Sequence, residues 1–200
     1  MSGGRHRDDT GARLGMWLFL YTEVLLFGGL FLLYSVYLHR YPREFAAAAQ
    51  ELNLGIGAAN TVILLTGSLL VALAVSAVRL GDARPARRLL WGSVATGVLF
   101  LANKYVEWSA EIGHGVYPGS PALAGRPPGE SIFVGLYYIT LGLHGVHVLV
   151  GTVLLAVMAI WVGNGTVHRD DFVRLENAGL YWHLVDLVWI FIFPLYYLLL

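Results

Sequence analysis

Five stretches of this chain, at about 15–37, 54–78, 89–108, 131–162 and 178–200, are apolar over the length a bilayer-spanning helix requires, roughly 20 residues. Hydrocarbon offers the backbone no hydrogen-bond partner, so a spanning segment must satisfy its own N–H and C=O groups. None of the five shows the alternation of a barrel strand, so the expectation is an all-α integral membrane protein, a bundle of five transmembrane helices. Only 13% of the residues are charged and 57% are hydrophobic, whereas a soluble domain carries about 25% charged residues. The fourth stretch is longer than a span needs, which predicts tilt or a projecting end.

The connections fit this reading. Arg40 to Glu44 and Gly81 to Pro85 carry break signals, Gly163-Asn164-Gly165 stops the fourth stretch, and 113–130 holds Pro118, Pro121, Pro127 and Pro128. Trp17, Tyr37, Trp91, Trp108, Trp161 and Tyr197 fall near span ends, as interfacial aromatics do. Residues 1–14 form a polar tail, and 15–200 read as a single membrane domain whose first span is retained rather than cleaved as a leader. With five spans, one side collects Arg5, Arg7, Arg13, Arg79, Arg84, Arg87, Arg88, Arg169 and Arg174, against Arg40, Arg43 and Arg126 on the other. The positive-inside rule then predicts the N-terminus inside and the C-terminus outside.

Composition also excludes chemistry. The formal net charge is zero, so no basic face invites nucleic acid. There is no cysteine, which excludes disulfides, thiolate metal sites, cysteine-held Fe–S clusters and covalently attached c-type haem.

Against this apolar background the ionisable groups stand out, because each costs roughly 2.5–3.5 kcal/mol at the centre of a span on insertion scales. Glu176, Gly179, His183 and Asp186 share one helical face by their 3, 4, 3 spacing, as do Thr140, His144, His147 and Gly151, and Lys104, Glu107 and Glu111. Asn60 and Thr61 lie early in the second span, and Glu23 is the acid of the first. Left toward lipid these groups would be unpaired, so the polar faces are expected to meet inside the bundle. Gly142, Gly145 and Gly151, with Gly28 and Gly29, are candidates for close helix approach.

Each group has a functional and a structural reading. His144 and His147, at i and i+3, suit a shared metal or haem, or an interhelical hydrogen-bonded pair. His183 and Asp186 suit a proton relay, or a buried pair that satisfies itself. Lys104 and Glu107 read as an i,i+3 ion pair near an interface, partly reached by snorkelling. Glu23 has no basic neighbour in its own helix, which leaves it neutral or paired across helices, in a proton-linked or a structural role. An independent membrane metalloenzyme is a weaker reading, because His144, His147 and His183 are the only histidines within the spans.

Five blocks, in order, carry a family resemblance: Gly15-Met16-Trp17-Leu18-Phe19 through Glu23; Asn60-Thr61-Val62-Ile63-Leu64-Leu65; Asn103-Lys104-Tyr105-Val106-Glu107-Trp108; Gly142-Leu143-His144-Gly145-Val146-His147; and Glu176 through Tyr181-Trp182-His183-Leu184-Val185-Asp186-Leu187-Val188-Trp189. Together they resemble subunit III of the haem–copper (cytochrome c) oxidases, in a short five-helix bacterial branch. Members of the mitochondrial type have seven helices and an acid where this chain has Lys104.

The resemblance implies a non-redox accessory subunit of a terminal oxidase in aerobic electron transport, in the bacterial inner membrane. It would have no catalytic residue and no metal, haem or copper of its own, those cofactors lying in its partners. It would pack on catalytic subunit I and other oxidase subunits, bind phospholipid, and support proton uptake and complex stability. Glu23 then resembles the family's membrane carboxyl. Asn60, Thr61, Lys104, Glu107, His144, His147, Glu176, His183 and Asp186 become interhelix and lipid-cleft polar groups. The short form leaves open an accessory protein of nitric oxide reductase or a related respiratory supercomplex.

Overall fold

A computed structural model describes residues 9–198. Its elements are helices: α1 (Asp9–Arg40), α2 (Pro42–Ala49), α3 (Leu54–Leu80), α4 (Ala83–Gly113), α5 (Pro121–Ala124), α6 (Pro128–Gly163) and α7 (Val173–Tyr197). Among the described residues α1, α3, α4, α6 and α7 are long and apolar enough to cross a membrane, matching the five expected spans. The five alternate in direction. One end of the bundle therefore gathers the start of α1, α4 and α7 with the close of α3 and α6. This is the arginine-rich end.

Local chemistry sets the boundaries. The Asn53 side chain caps α3 by accepting from the Ile56 amide at 3.1 Å. Gly81 ends α3 at φ 89°, a left-handed conformation that glycine adopts without cost. The break expected at 81–85 shrinks to Gly81 and Asp82, because Pro85 falls in the first turn of α4, where a missing amide hydrogen loses no helical bond. Pro128 starts α6 in the same way, and the backbone N–H of Gly129, which has no partner within the helix, donates to the Glu44 carboxylate from α2.

α7 lies at the centre. Val173, Leu175, Tyr181, Trp182, Val185, Trp189, Ile192 and Tyr196 are all buried along it. α3 and α6 pack along it, α4 reaches it through Gly97, Phe100 and Lys104, and α1 closes one side along a thin seam of Leu20, Phe27 and Tyr34, one residue every seven. The short α2 seats Phe45 in an aromatic cluster with Tyr34 and Phe133.

The Trp182 indole is fully buried in a slot floored by glycines of three helices. A methyl built on Gly67 of α3 would come 3.3 Å from it, on Gly97 of α4 3.0 Å, and on Gly151 of α6 3.0 Å. The small residues expected to mediate close approach are therefore only partly those that do. Gly151 does so, and Gly142 sits in ordinary contact with Trp108. Gly28, Gly29 and Gly145 have no atom of the described chain within 4 Å of a built methyl. Gly28 instead borders a groove of about 220 Å³ between α1 and α7, beside Phe31 and Phe191.

Candidate functional site

The buried polar groups fall into separate clusters stacked along the bundle axis. At the arginine-rich end, Glu176 of α7 takes Arg13 of α1 on one oxygen at 2.8 Å and Arg79 of α3 on the other. Asn177 adds a bond to the Ala12 carbonyl at 3.2 Å. These contacts tie α1, α3 and α7 together beside a cavity of about 400 Å³ whose inner wall reaches His183.

One turn and more deeper, His183 and Asp186 do not bond each other directly. The His183 Nδ1 lies 2.6 Å from the Ser68 hydroxyl of α3, and the same serine stands beside Asp186. Asp186 Oδ1 is buried without a protein partner. The expectation of a self-satisfied His183–Asp186 pair is thus corrected. Their shared helical face points both side chains at α3, and Ser68 lies between.

At mid-bundle, Glu23 of α1 meets His147 of α6, Oε2 to Nε2 2.9 Å. The other ring nitrogen, Nδ1, is 2.8 Å from the Leu143 carbonyl. A carbonyl only accepts, so Nδ1 carries a hydrogen. The short Nε2···Oε2 contact therefore holds a further proton, on the imidazole or on the carboxyl, and the pair is neutral overall in either state. The alternative of Glu23 paired across helices is the one realised. Phe27 stacks edge-on to His147 at 5.3 Å and shields it.

His144 makes no such contact. It is completely buried, neither ring nitrogen has a hydrogen-bond partner, and its ring is enclosed by Phe100 at 5.6 Å, Trp189 at 5.3 Å and Phe27 at 6.4 Å. The expected interhelical hydrogen bond is replaced by packing among aromatic faces, and His144 and His147 point into different surroundings. Among the described residues no group of three or more histidines and acids is placed to share a metal ion.

Toward the opposite end, Asn103 donates to Asn60 at 2.9 Å and Trp189 donates to the Thr61 hydroxyl at 2.9 Å. Beyond them Lys104 donates to Glu107 Oε2 at 2.8 Å and to the hydroxyls of Tyr137 and Tyr197, each at 3.1 Å. Lys104 and Glu107 are 7% and 4% exposed, so the lysine does not snorkel. Two tyrosines from α6 and α7 enclose it and accept two of its three hydrogen bonds. At the rim Arg126 bonds Glu51 at 2.6 Å and Glu130 at 3.3 Å, and the Glu51 hydrogen bond raises the guanidinium above its ordinary value.

Spacing had grouped the residues by helix face but named few partners. Arg13, Arg79, Ser68, Asn103, Tyr137, Trp189 and Tyr197 complete the clusters. A phenol in an apolar helix carries no charge signal to mark it.

The cytochrome c oxidase subunit III family model matches residues 3–199. The chain is 31% identical over 199 residues to a cytochrome c oxidase subunit 3 of Synechocystis, covering 98% of this chain and 79% of that protein. It is 30% identical over 188 residues to a protein of the same name from Thermostichus vulcanus, covering 93% and 86%. A heme-copper oxidase subunit I+III of Aeropyrum pernix is 29% identical over 194 residues, 93% of this chain and 22% of that longer protein. With five spans and matches over nearly its whole length, this multi-pass membrane chain belongs to the cytochrome c oxidase subunit III family.

Proposed function

We propose that the chain is the non-redox accessory subunit of a haem–copper terminal oxidase, docked on catalytic subunit I in the bacterial inner membrane. The observation that carries this reading is how the intramembrane polar groups are spent. Glu23 is engaged by His147, Lys104 by Glu107 and two tyrosines, and Glu176 by two arginines. Groups engaged in this way stabilise a bundle and leave haem and copper chemistry to a neighbour. The Aeropyrum relative supports subunit I as that neighbour, since its name joins the two subunits in one chain.

Residues 15–200 then form one membrane domain behind a polar tail, with the arginine-rich end on the inside. Glu23, which shares a proton with His147 at mid-bundle, is the group suited to take up protons arriving from that side. Phospholipid fits an apolar groove of about 500 Å³ between α1, α6 and α7, lined by Met16, Phe19, Val157 and Tyr181. At the groove's end Arg174 lies over Trp161 at 5.2 Å, a cation at headgroup depth beside an apolar channel.

Affinity capture of the tagged chain from native membranes, with an optical spectrum of what accompanies it, tests the reading. A co-purifying haem–copper oxidase is expected, with no Soret absorption from the isolated chain. Recovery with a nitric oxide reductase alone, or stoichiometric haem in the isolated chain, would overturn it.

A further inference from the structure

The cluster around Lys104 contains more acceptor contacts than it has hydrogens to fill. Lys104 commits its three N–H groups to Glu107 Oε2, Tyr137 Oη and Tyr197 Oη. Tyr197 gives its hydrogen to Glu107 Oε1 at 2.7 Å. Tyr137 has a single hydrogen but faces two carboxylate oxygens, Glu107 Oε1 at 3.2 Å and Glu111 Oε1 at 3.0 Å, and more distantly the Tyr197 oxygen at 3.3 Å. Tyr138 stands beside Glu111 as well, yet donates to the Val116 carbonyl at 2.9 Å. With both carboxylates ionised, one of the two Tyr137 contacts would set lone pair against lone pair, and a buried cluster would carry a net negative charge.

One additional hydrogen on Glu111 Oε1 supplies both carboxylate contacts of Tyr137 and leaves only the 3.3 Å approach of the Tyr137 and Tyr197 phenol oxygens, the longest in the cluster, without one. Glu111 donates to Tyr137 Oη, Tyr137 donates to Glu107 Oε1, and Tyr137 Oη accepts from Lys104 and Glu111, filling its two lone pairs. The ammonium and the one remaining carboxylate then cancel.

The second oxygen, Glu111 Oε2, is buried without a protein partner. Glu111 also lines a cavity of about 370 Å³ at the end of the bundle away from Arg13 and Arg79, with exposed Glu51 and His114 on its rim. Its walls are largely apolar, but Glu51, Glu111, His114 and Arg126 give waters in a cavity of that size polar partners.

We propose that this cavity and Glu111 form a proton-binding site open to the aqueous phase at that end of the bundle. Uptake moves one proton from hydronium in the cavity to the Glu111 carboxylate, leaving water. Release reverses it, and no electron moves. The charged and titratable groups facing the site are Lys104, Glu107 and His114 of α4 and its end, Tyr137 and Tyr138 of α6, Tyr197 of α7, Glu51 after α2, and Arg126 before α6. The site is distinct from Glu23, which sits at mid-bundle on another pair of helices, and it stands whichever subunit the chain docks on.

Infrared spectroscopy of the full chain in lipid nanodiscs at neutral pH tests it. A protonated-carboxyl carbonyl band is expected that shifts in heavy water, is lost in Glu111→Gln and persists in Glu23→Gln. A carbonyl spectrum unchanged by Glu111→Gln would overturn the proposal. Where Glu111→Gln fails to fold, the wild-type chain supplies the answer. A water-soluble carbodiimide with an amine label, which reacts through the protonated acid, should mark Glu111 by mass spectrometry. Folded chain left unlabelled at Glu111 would overturn the proposal equally.

Discussion

His147 holds Glu23 across the α1–α6 boundary at 2.9 Å, and the Leu143 carbonyl behind it at 2.8 Å fixes which ring nitrogen faces the acid. α1 has little else at that depth, since its buried seam is Leu20, Phe27 and Tyr34. A double-mutant cycle of Glu23→Ala and His147→Ala, read by denaturant unfolding, should show coupling of about 1–3 kcal/mol. Additive effects would mean that the two side chains do not depend on each other.

Lys104→Met should destabilise the bundle by about 3–5 kcal/mol, because it strands the Glu107 carboxylate in the interior. Adding Glu107→Leu should recover most of that loss, since apolar replacement of a whole buried pair is often tolerated. Equilibrium unfolding of the single and double variants is the measurement. A double variant no better than the single would assign the cost to Tyr137 and Tyr197 instead.

His144→Leu should leave stability within about 1 kcal/mol of wild type or raise it, because the imidazole nitrogens it removes make no hydrogen bond. Thermal unfolding in detergent reads this out. A loss well beyond that value would reveal that a ring nitrogen is bonded after all.

Gly97→Val should cost about 1–3 kcal/mol by overpacking. Its first added carbon already overlaps the Thr152 hydroxyl and closes to 3.0 Å on Trp182. Trp182→Leu in the same chain should lessen the penalty, as seen by comparing unfolding midpoints of the single and double variants. A penalty untouched by Trp182→Leu would place the clash at Thr152 alone.

The spans were legible because lipid leaves the backbone a single solution, and a run such as 54–78 announces it without help from tertiary contacts. α2 was not legible. Its eight residues are too few for a period to stand out, and Phe45 is the one strong sign of a buried face. Pro85 read as a break because a sequence does not say whether a proline lies in the first turn or in the interior. At the site, spacing aligned Glu176, His183 and Asp186 correctly but could not name what stood opposite. Lys104 shows why. Its hydroxyl partners lie 33 and 93 residues away, and which phenols face an ammonium depends on how three helices rotate against one another. The same holds for Ser68, whose hydroxyl reaches His183 across a helix boundary 115 residues away in the chain.

The indole of Trp182, seated on glycines from α3, α4 and α6, joins four positions of the chain into one unit of inheritance. Residues 67, 97 and 151 cannot drift to larger side chains independently. Across related chains, bulk gained at 151 should appear together with a smaller residue at 182, and bulk gained at 67 or 97 with smaller residues both at 182 and at the neighbouring Thr96 or Thr152, a compensation that sequence comparison alone can count.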